Sequence, residues 1–154
     1  METAATQQII ADFPGGRTLR LTVGVMVMWD QVRYNVLRRE GWTWLAAQGY
    51  TPFPKNPKEG EEAEPPEAEE VRRLCVARAQ MLAALQGVEE RQGEAGEWQP
   101  CALPAEWEGV EGFVRRVPVG FANIWHRWVL VLNPTAFLQT MGEPEKNGGA
   151  VIAF

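Results

Sequence analysis

The 154-residue chain is 45% hydrophobic and 23% charged, a balance that favours a single folded domain over residues 1–154 and excludes a disordered or fibrous protein. Its net charge of -5 arises in one segment, since residues 51–70 hold seven glutamates and two lysines. The rest of the chain is neutral overall and has no clustered basic face of the kind that binds nucleic acid. No apolar run approaches the roughly 20 residues that cross a bilayer, and the N-terminus lacks a signal-peptide pattern, so we expect a cytoplasmic protein without a membrane partner.

A β-hairpin is predicted first, where two apolar stretches, residues 9–13 and 18–23, flank Pro14-Gly15-Gly16-Arg17. In the second arm Leu19, Leu21 and Val23 alternate with polar residues, the period of a strand with one buried face. Because an isolated hairpin is marginally stable in water, we expect its apolar face to pack against a helix.

A first helix is predicted from an N-cap at Thr22 to about Arg39, ended by Gly41. Residues 42–48 are expected to add one or two turns before Gly49 and Pro52 stop them. Apolar residues near helical spacing predict the buried stripe of this helix, which consists of Val25, Met28, Trp29, Val32, Val36 and Leu37.

Residues 51–66 predict a flexible acidic loop, because five prolines and a glutamate cluster leave little apolar surface to bury. A second helix is predicted over residues 67–86, where an acidic first turn suits the helix dipole. Cys75 lies in its predicted buried stripe, and Gly87 is expected to weaken its end.

The C-terminal half predicts a short helix entered at Pro104 and then, after Pro118 and Gly120, a longer helix closed by Asn133-Pro134. Residues 142–154 are expected to form a turn-like tail, with residues 150–154 as a candidate edge strand. The predicted fold class is mainly α with a small N-terminal β-hairpin, an α+β arrangement in which a three- to four-helix cluster packs on the hairpin.

The sequence predicts no catalytic, cofactor-binding or metal-binding site. The chain has no serine, and its single histidine, His126, has no local nucleophile or orienting partner. Burial is expected to make Cys75 inert, and Cys75 and Cys101 form neither a disulfide framework nor a zinc motif. The loop glutamates lack the ligand spacing of a calcium site. A small enzyme that uses Cys75 or a glutamate stays open as an alternative.

Core packing and loop clamping explain most of the seven tryptophans in this chain, and a protein interface is the alternative role. Tryptophan and arginine are the side chains that most often anchor protein interfaces. We therefore predict a protein partner, with no nucleic-acid or membrane partner, and leave homo-oligomerisation open. The predicted protein-binding residues are Phe113, Arg116, Trp125 and Trp128.

The segment from residue 102 to residue 134 contains Leu103-Pro104, Trp107, Phe113-Val114, Val117-Pro118, Trp125 and Val131-Leu132-Asn133-Pro134. This pattern resembles the C-terminal part of small tail assembly chaperone-like proteins of tailed phages. The resemblance implies a non-catalytic protein in the host cytoplasm that keeps the tape measure protein soluble and recruits tail tube subunits. A structural subunit of a virion or other large assembly is the alternative.

Overall fold

The computed structural model describes residues 5–54, 57–60 and 62–137. The elements in chain order are β1 (Thr6–Phe13), β2 (Arg17–Gly24), α1 (Met28–Ala47), α2 (Ala68–Ala83), β3 (Leu85–Gln92), β4 (Gln99–Pro100), α3 (Ala105–Glu108), α4 (Val110–Arg116) and α5 (Val119–Leu132). The predicted tail, residues 142–154, lies outside the described residues, as does its candidate edge strand.

The predicted N-terminal hairpin is confirmed. β1 and β2 pair antiparallel from Thr6 opposite Gly24 to Phe13 opposite Arg17. The turn between them contains Gly15 and Gly16 at φ values of +90° and +76°, a backbone conformation that glycine adopts without a steric penalty. The alternating residues Leu19, Leu21 and Val23 are buried as predicted.

The predicted fold class is wrong in the extent of its sheet, because the described residues form five helices and one four-stranded antiparallel sheet with the order β1-β2-β3-β4. Residues 85–92 form β3 and pair with β2, although residues 85 and 86 were expected to end the second helix and no strand was predicted after them. Charge pairs across the two strands stabilise this pairing, since Arg17 lies 2.7 Å from Glu90 and Arg20 lies 2.9 Å from Glu89. Such a strand has no alternating apolar pattern by which to recognise it.

The first helix begins later than predicted, and of its predicted buried stripe only Leu37 packs against the core. Thr22 belongs to β2, and α1 starts only at Met28, where the Asp30 carboxylate accepts a hydrogen bond of 2.9 Å from the Val27 backbone N–H. Gly41 does not end the helix but is buried in it, because a Cβ atom there would lie 3.3 Å from the Cβ of Cys75 on α2. The buried side of α1 is formed by Tyr34, Gly41 and Leu45.

The main core lies between the inner face of the sheet and helices α2 and α5. Its aromatic part is continuous, since Phe13, Trp107, Phe121, Trp125 and Phe113 follow one another with ring-centroid separations of 5.5–6.0 Å. The single short helix predicted after Pro104 is two helices, α3 and α4, because the backbone of Gly109 between them is extended.

The side chain of Asn133 ties the end of α5 to the connection between β2 and α1. Its Nδ2 donates to the Gly24 carbonyl at 3.0 Å, and its Oδ1 accepts from the Met26 backbone N–H at 2.7 Å. Because Asn133 is buried, these bonds are shielded from water. They fix the point at which α1 leaves the sheet.

The guanidinium of Arg78 on α2 joins three helices. It is 1% exposed, and its Nη2 donates to a carboxylate oxygen of Glu40 on α1 at 3.2 Å and to the Glu108 carbonyl at the end of α3. Burial lowers the pKa of Arg78, and the neighbouring Glu40 opposes that shift. The side chain therefore sets the spacing between α1, α2 and α3.

Replacing Arg78 with alanine should lower the free energy of unfolding by about 3 kcal/mol, because both the packing and the buried hydrogen bonds are lost. Arg78→Met keeps most of the packing and also removes the cost of burying the charge, so its loss should be clearly smaller than that of Arg78→Ala. Urea denaturation followed by circular dichroism measures both values. Arg115→Ala is the control, since its ion pair with Glu111 is exposed and should contribute less than about 1 kcal/mol. Equal losses of stability in Arg78→Ala and Arg115→Ala would contradict the role of Arg78 in holding the three helices together.

Candidate protein-docking surface

The outer face of α1 carries a run of uncovered apolar side chains. Trp29 is 76% exposed and Met28 84%, and Val32 and Val36 are at least half exposed. Trp29, Val32 and Val36 are spaced by three and four residues, which places them on one side of the helix. That side points away from the core because the opposite side packs against α2.

The same run continues backwards into the connection before α1, where Val25 and Val27 are also exposed. We define the docking surface as Val25, Val27, Met28, Trp29, Val32 and Val36. Contiguous apolar patches of this kind mark interaction sites on soluble proteins, whereas singly scattered apolar side chains do not.

A groove of about 750 Å³ adjoins the docking surface at the start of α1. One wall is formed by the connection before α1, including Val25, Val27 and Met28. The other wall is the end of α5 and the turn after it, including Leu132 and Pro134. Three residues are common to the groove and the docking surface, so the two form one continuous apolar area.

The four residues predicted to bind protein lie elsewhere. Phe113 and Trp125 are buried in the core with their ring centroids 6.0 Å apart, so the chain itself covers them. Trp128 is half-buried against that core, and Arg116 is exposed at the end of α4. The structure does not bring these four together on one surface, and none of them belongs to the docking surface.

The docking surface was missed because all of its residues except Val27 were predicted to lie in the buried stripe of the first helix. A second set on α1, Tyr34, Gly41 and Leu45, has equally regular helical spacing of seven and four residues. That second set is the buried one. The available signal was its glycine, because a glycine inside a long helix is explained by close contact with a neighbouring helix.

Cys75 and His126, the two chemically reactive side chains weighed from the sequence, contact different partners. Cys75 packs against Gly41 on α1, whereas Nε2 of His126 on α5 lies 2.7 Å from Oε1 of Gln80. Burial raises the pKa of Cys75 to about 11 and lowers the pKa of His126. In the part of the chain that the structure describes, no hydrogen bond joins this thiol to this imidazole.

The predicted flexible loop is anchored at several points. The Arg72 guanidinium donates two hydrogen bonds of 2.9 Å to the Glu64 carboxylate and a third bond to the Thr51 carbonyl. The Phe53 ring lies 5.4 Å from the Trp42 ring, centroid to centroid. Over residues 5–54, 57–60 and 62–137, no group of acidic, cysteine or histidine side chains is placed to hold a metal ion. Within the same residues no helix is both long and apolar enough to cross a membrane.

The pKa of Cys75 gives a direct test of its chemistry. In a Cys101→Ala variant, a thiol reagent near neutral pH should label Cys75 in the folded protein roughly 100-fold more slowly than in urea, because burial suppresses the thiolate and blocks access. The labelling rate should rise with pH, since the thiol ionises only as the pH approaches about 11. Fast labelling of the folded protein at neutral pH would reveal an activated thiolate and favour the enzyme alternative.

Comparison with known proteins identified no relative of this chain. No protein-family model matches the chain, and neither the curated proteins nor the solved structures include one with significant similarity to it.

Proposed function

We propose that the protein is a non-catalytic interaction factor that binds another protein through the docking surface. The observation that carries this proposal is the exposure of Trp29 beside Met28 on a regular helix. Tryptophan is among the residues that contribute most to binding when a partner covers them. A protein partner that binds here would bury Trp29 together with the exposed apolar side chains beside it.

The geometry of the surface also supports a protein partner over a small molecule. The three side chains Trp29, Val32 and Val36 follow one side of a straight helix, which is the arrangement that packs against another helix or an apolar strand. A small-molecule site is normally concave and encloses most of its ligand. A helix surface is convex, and the N-terminal end of this one opens into a groove.

A finer version of the proposal follows from the resemblance of residues 102–134 to tail assembly chaperone-like proteins. In that version the partner is a tape measure protein, tail tube subunits are recruited to the complex, and the protein acts in the host cytoplasm. The alternative assembly role, a structural subunit, differs in one observable property. A subunit is retained in purified particles, whereas a chaperone is absent from them.

Replacing Trp29 with glutamate should remove the interaction without unfolding the chain. The side chain is mostly in water already, so thermal stability should be unchanged, whereas a carboxylate placed in an apolar interface should reduce binding at least about 100-fold. The measurement is the amount of partner that co-purifies with the tagged protein from cells that produce both. Ile10→Glu is the matched control, because Ile10 is exposed on the outer face of the sheet. Full retention of the partner by Trp29→Glu would refute the proposed function.

A further inference from the structure

Two arginines border the docking surface. Arg33 follows Trp29 by four residues, and Arg39 follows Val36 by three, so each lies next to the apolar run on the helix surface. Both side chains are exposed, and neither forms an ion pair with any described residue. The helix geometry puts them on opposite flanks of the run, because their positions differ by six residues.

The carboxylates of α1 are already engaged. Asp30 accepts the hydrogen bond from the Val27 backbone N–H that caps the helix, and Glu40 pairs with the buried Arg78. Glu40 is balanced by Arg78, but Asp30 bonds a neutral N–H and keeps its negative charge, so the two exposed arginines leave a net positive charge at this face. It comes from Arg33 and Arg39.

We propose that the docking surface binds an amphipathic helix of a partner protein whose apolar side is flanked by carboxylates. This inference rests on the proposed function and names the chemistry of the partner. Apolar side chains of such a helix would pack on Trp29, Val32 and Val36, with the end of the helix over the groove. Its acidic flanks would then reach Arg33 on one side and Arg39 on the other.

Charge complementarity argues for this occupant over a second copy of the chain. If two copies met through α1, each would bring two arginines but only one carboxylate without a cationic partner, Asp30, so the interface would carry a net positive charge. Like charges brought together at an interface oppose association, whereas an acidic partner removes that repulsion and replaces it with attraction. The same arrangement discriminates against helices with basic flanks.

Two synthetic helices test the inference. Both are fluorescent peptides of about 21 residues, or three heptads, with leucine at positions a and d. One carries glutamate and the other lysine at positions e and g. Titrated with the purified full chain, the glutamate peptide should bind at least about tenfold more tightly than the lysine peptide, and added salt should narrow the difference.

Variants of Arg33 and Arg39 test whether these two side chains cause the preference for the glutamate peptide. A double variant with Arg33→Gln and Arg39→Gln should lose the preference, and one with Arg33→Glu and Arg39→Glu should reverse it. Trp29→Glu should weaken the binding of both peptides, because it removes the apolar contact that they share. Circular dichroism checks that each variant keeps its helical content, as expected for exposed side chains.

The outcomes separate this inference from the proposed function. Equal binding of both peptides that still depends on Trp29 would overturn the acidic-partner inference and leave the docking surface in place. Failure of both peptides to bind, or self-association of the chain that Trp29→Glu abolishes, would also overturn the inference. The proposed function itself fails only if capture of the native partner is indifferent to Trp29→Glu.

Discussion

The position of α1 depends on a buried guanidinium. Arg78 is almost without accessible surface, yet it reaches Glu40 on α1 and the carbonyl of Glu108 on α3. Both bonds come from Nη2, whereas Nε and Nη1 are buried without a hydrogen-bond partner among the described residues, so it is through Nη2 that this side chain links the three helices. The close contact of Gly41 with Cys75 adds a second constraint on the same pair of helices. Together they turn one side of α1 inward, and the apolar residues on its other side are left in water.

The parts of the fold that were predictable from the sequence are those encoded locally. The hairpin has alternating residues and a turn with two glycines, and the last helix ends at Asn133-Pro134 as expected. β3 is encoded differently, because its glutamates become favourable only opposite Arg17 and Arg20 of β2. That pairing joins residues about 70 positions apart, so no local pattern reveals it. The result is a four-stranded sheet where a hairpin alone was expected.

The same distinction, between structure encoded locally and structure set by distant contacts, explains why the candidate site was not found from the sequence. Trp125 has the spacing of a buried stripe and was also named as an interface residue; it lies at the centre of the core with Phe113 and Phe121 around it. Trp29 was expected in the core because of its spacing, but it is exposed. Both residues fit an amphipathic helix equally well. Which side of a helix is buried is decided by its neighbours, here by Cys75 and Arg78 of α2.

The central claim is that the apolar face of α1 is open in the free chain and is covered by a partner. Hydroxyl-radical footprinting with mass spectrometry tests this most directly, because it reports side-chain access residue by residue. In the purified monomer Met28 and Trp29 should oxidise readily, whereas Met81 and Trp125, which are fully buried, should stay intact. In the complex with the native partner, Met28 and Trp29 should become protected. If they are already as protected as Met81 and Trp125 in the free monomer, the docking surface does not exist as described.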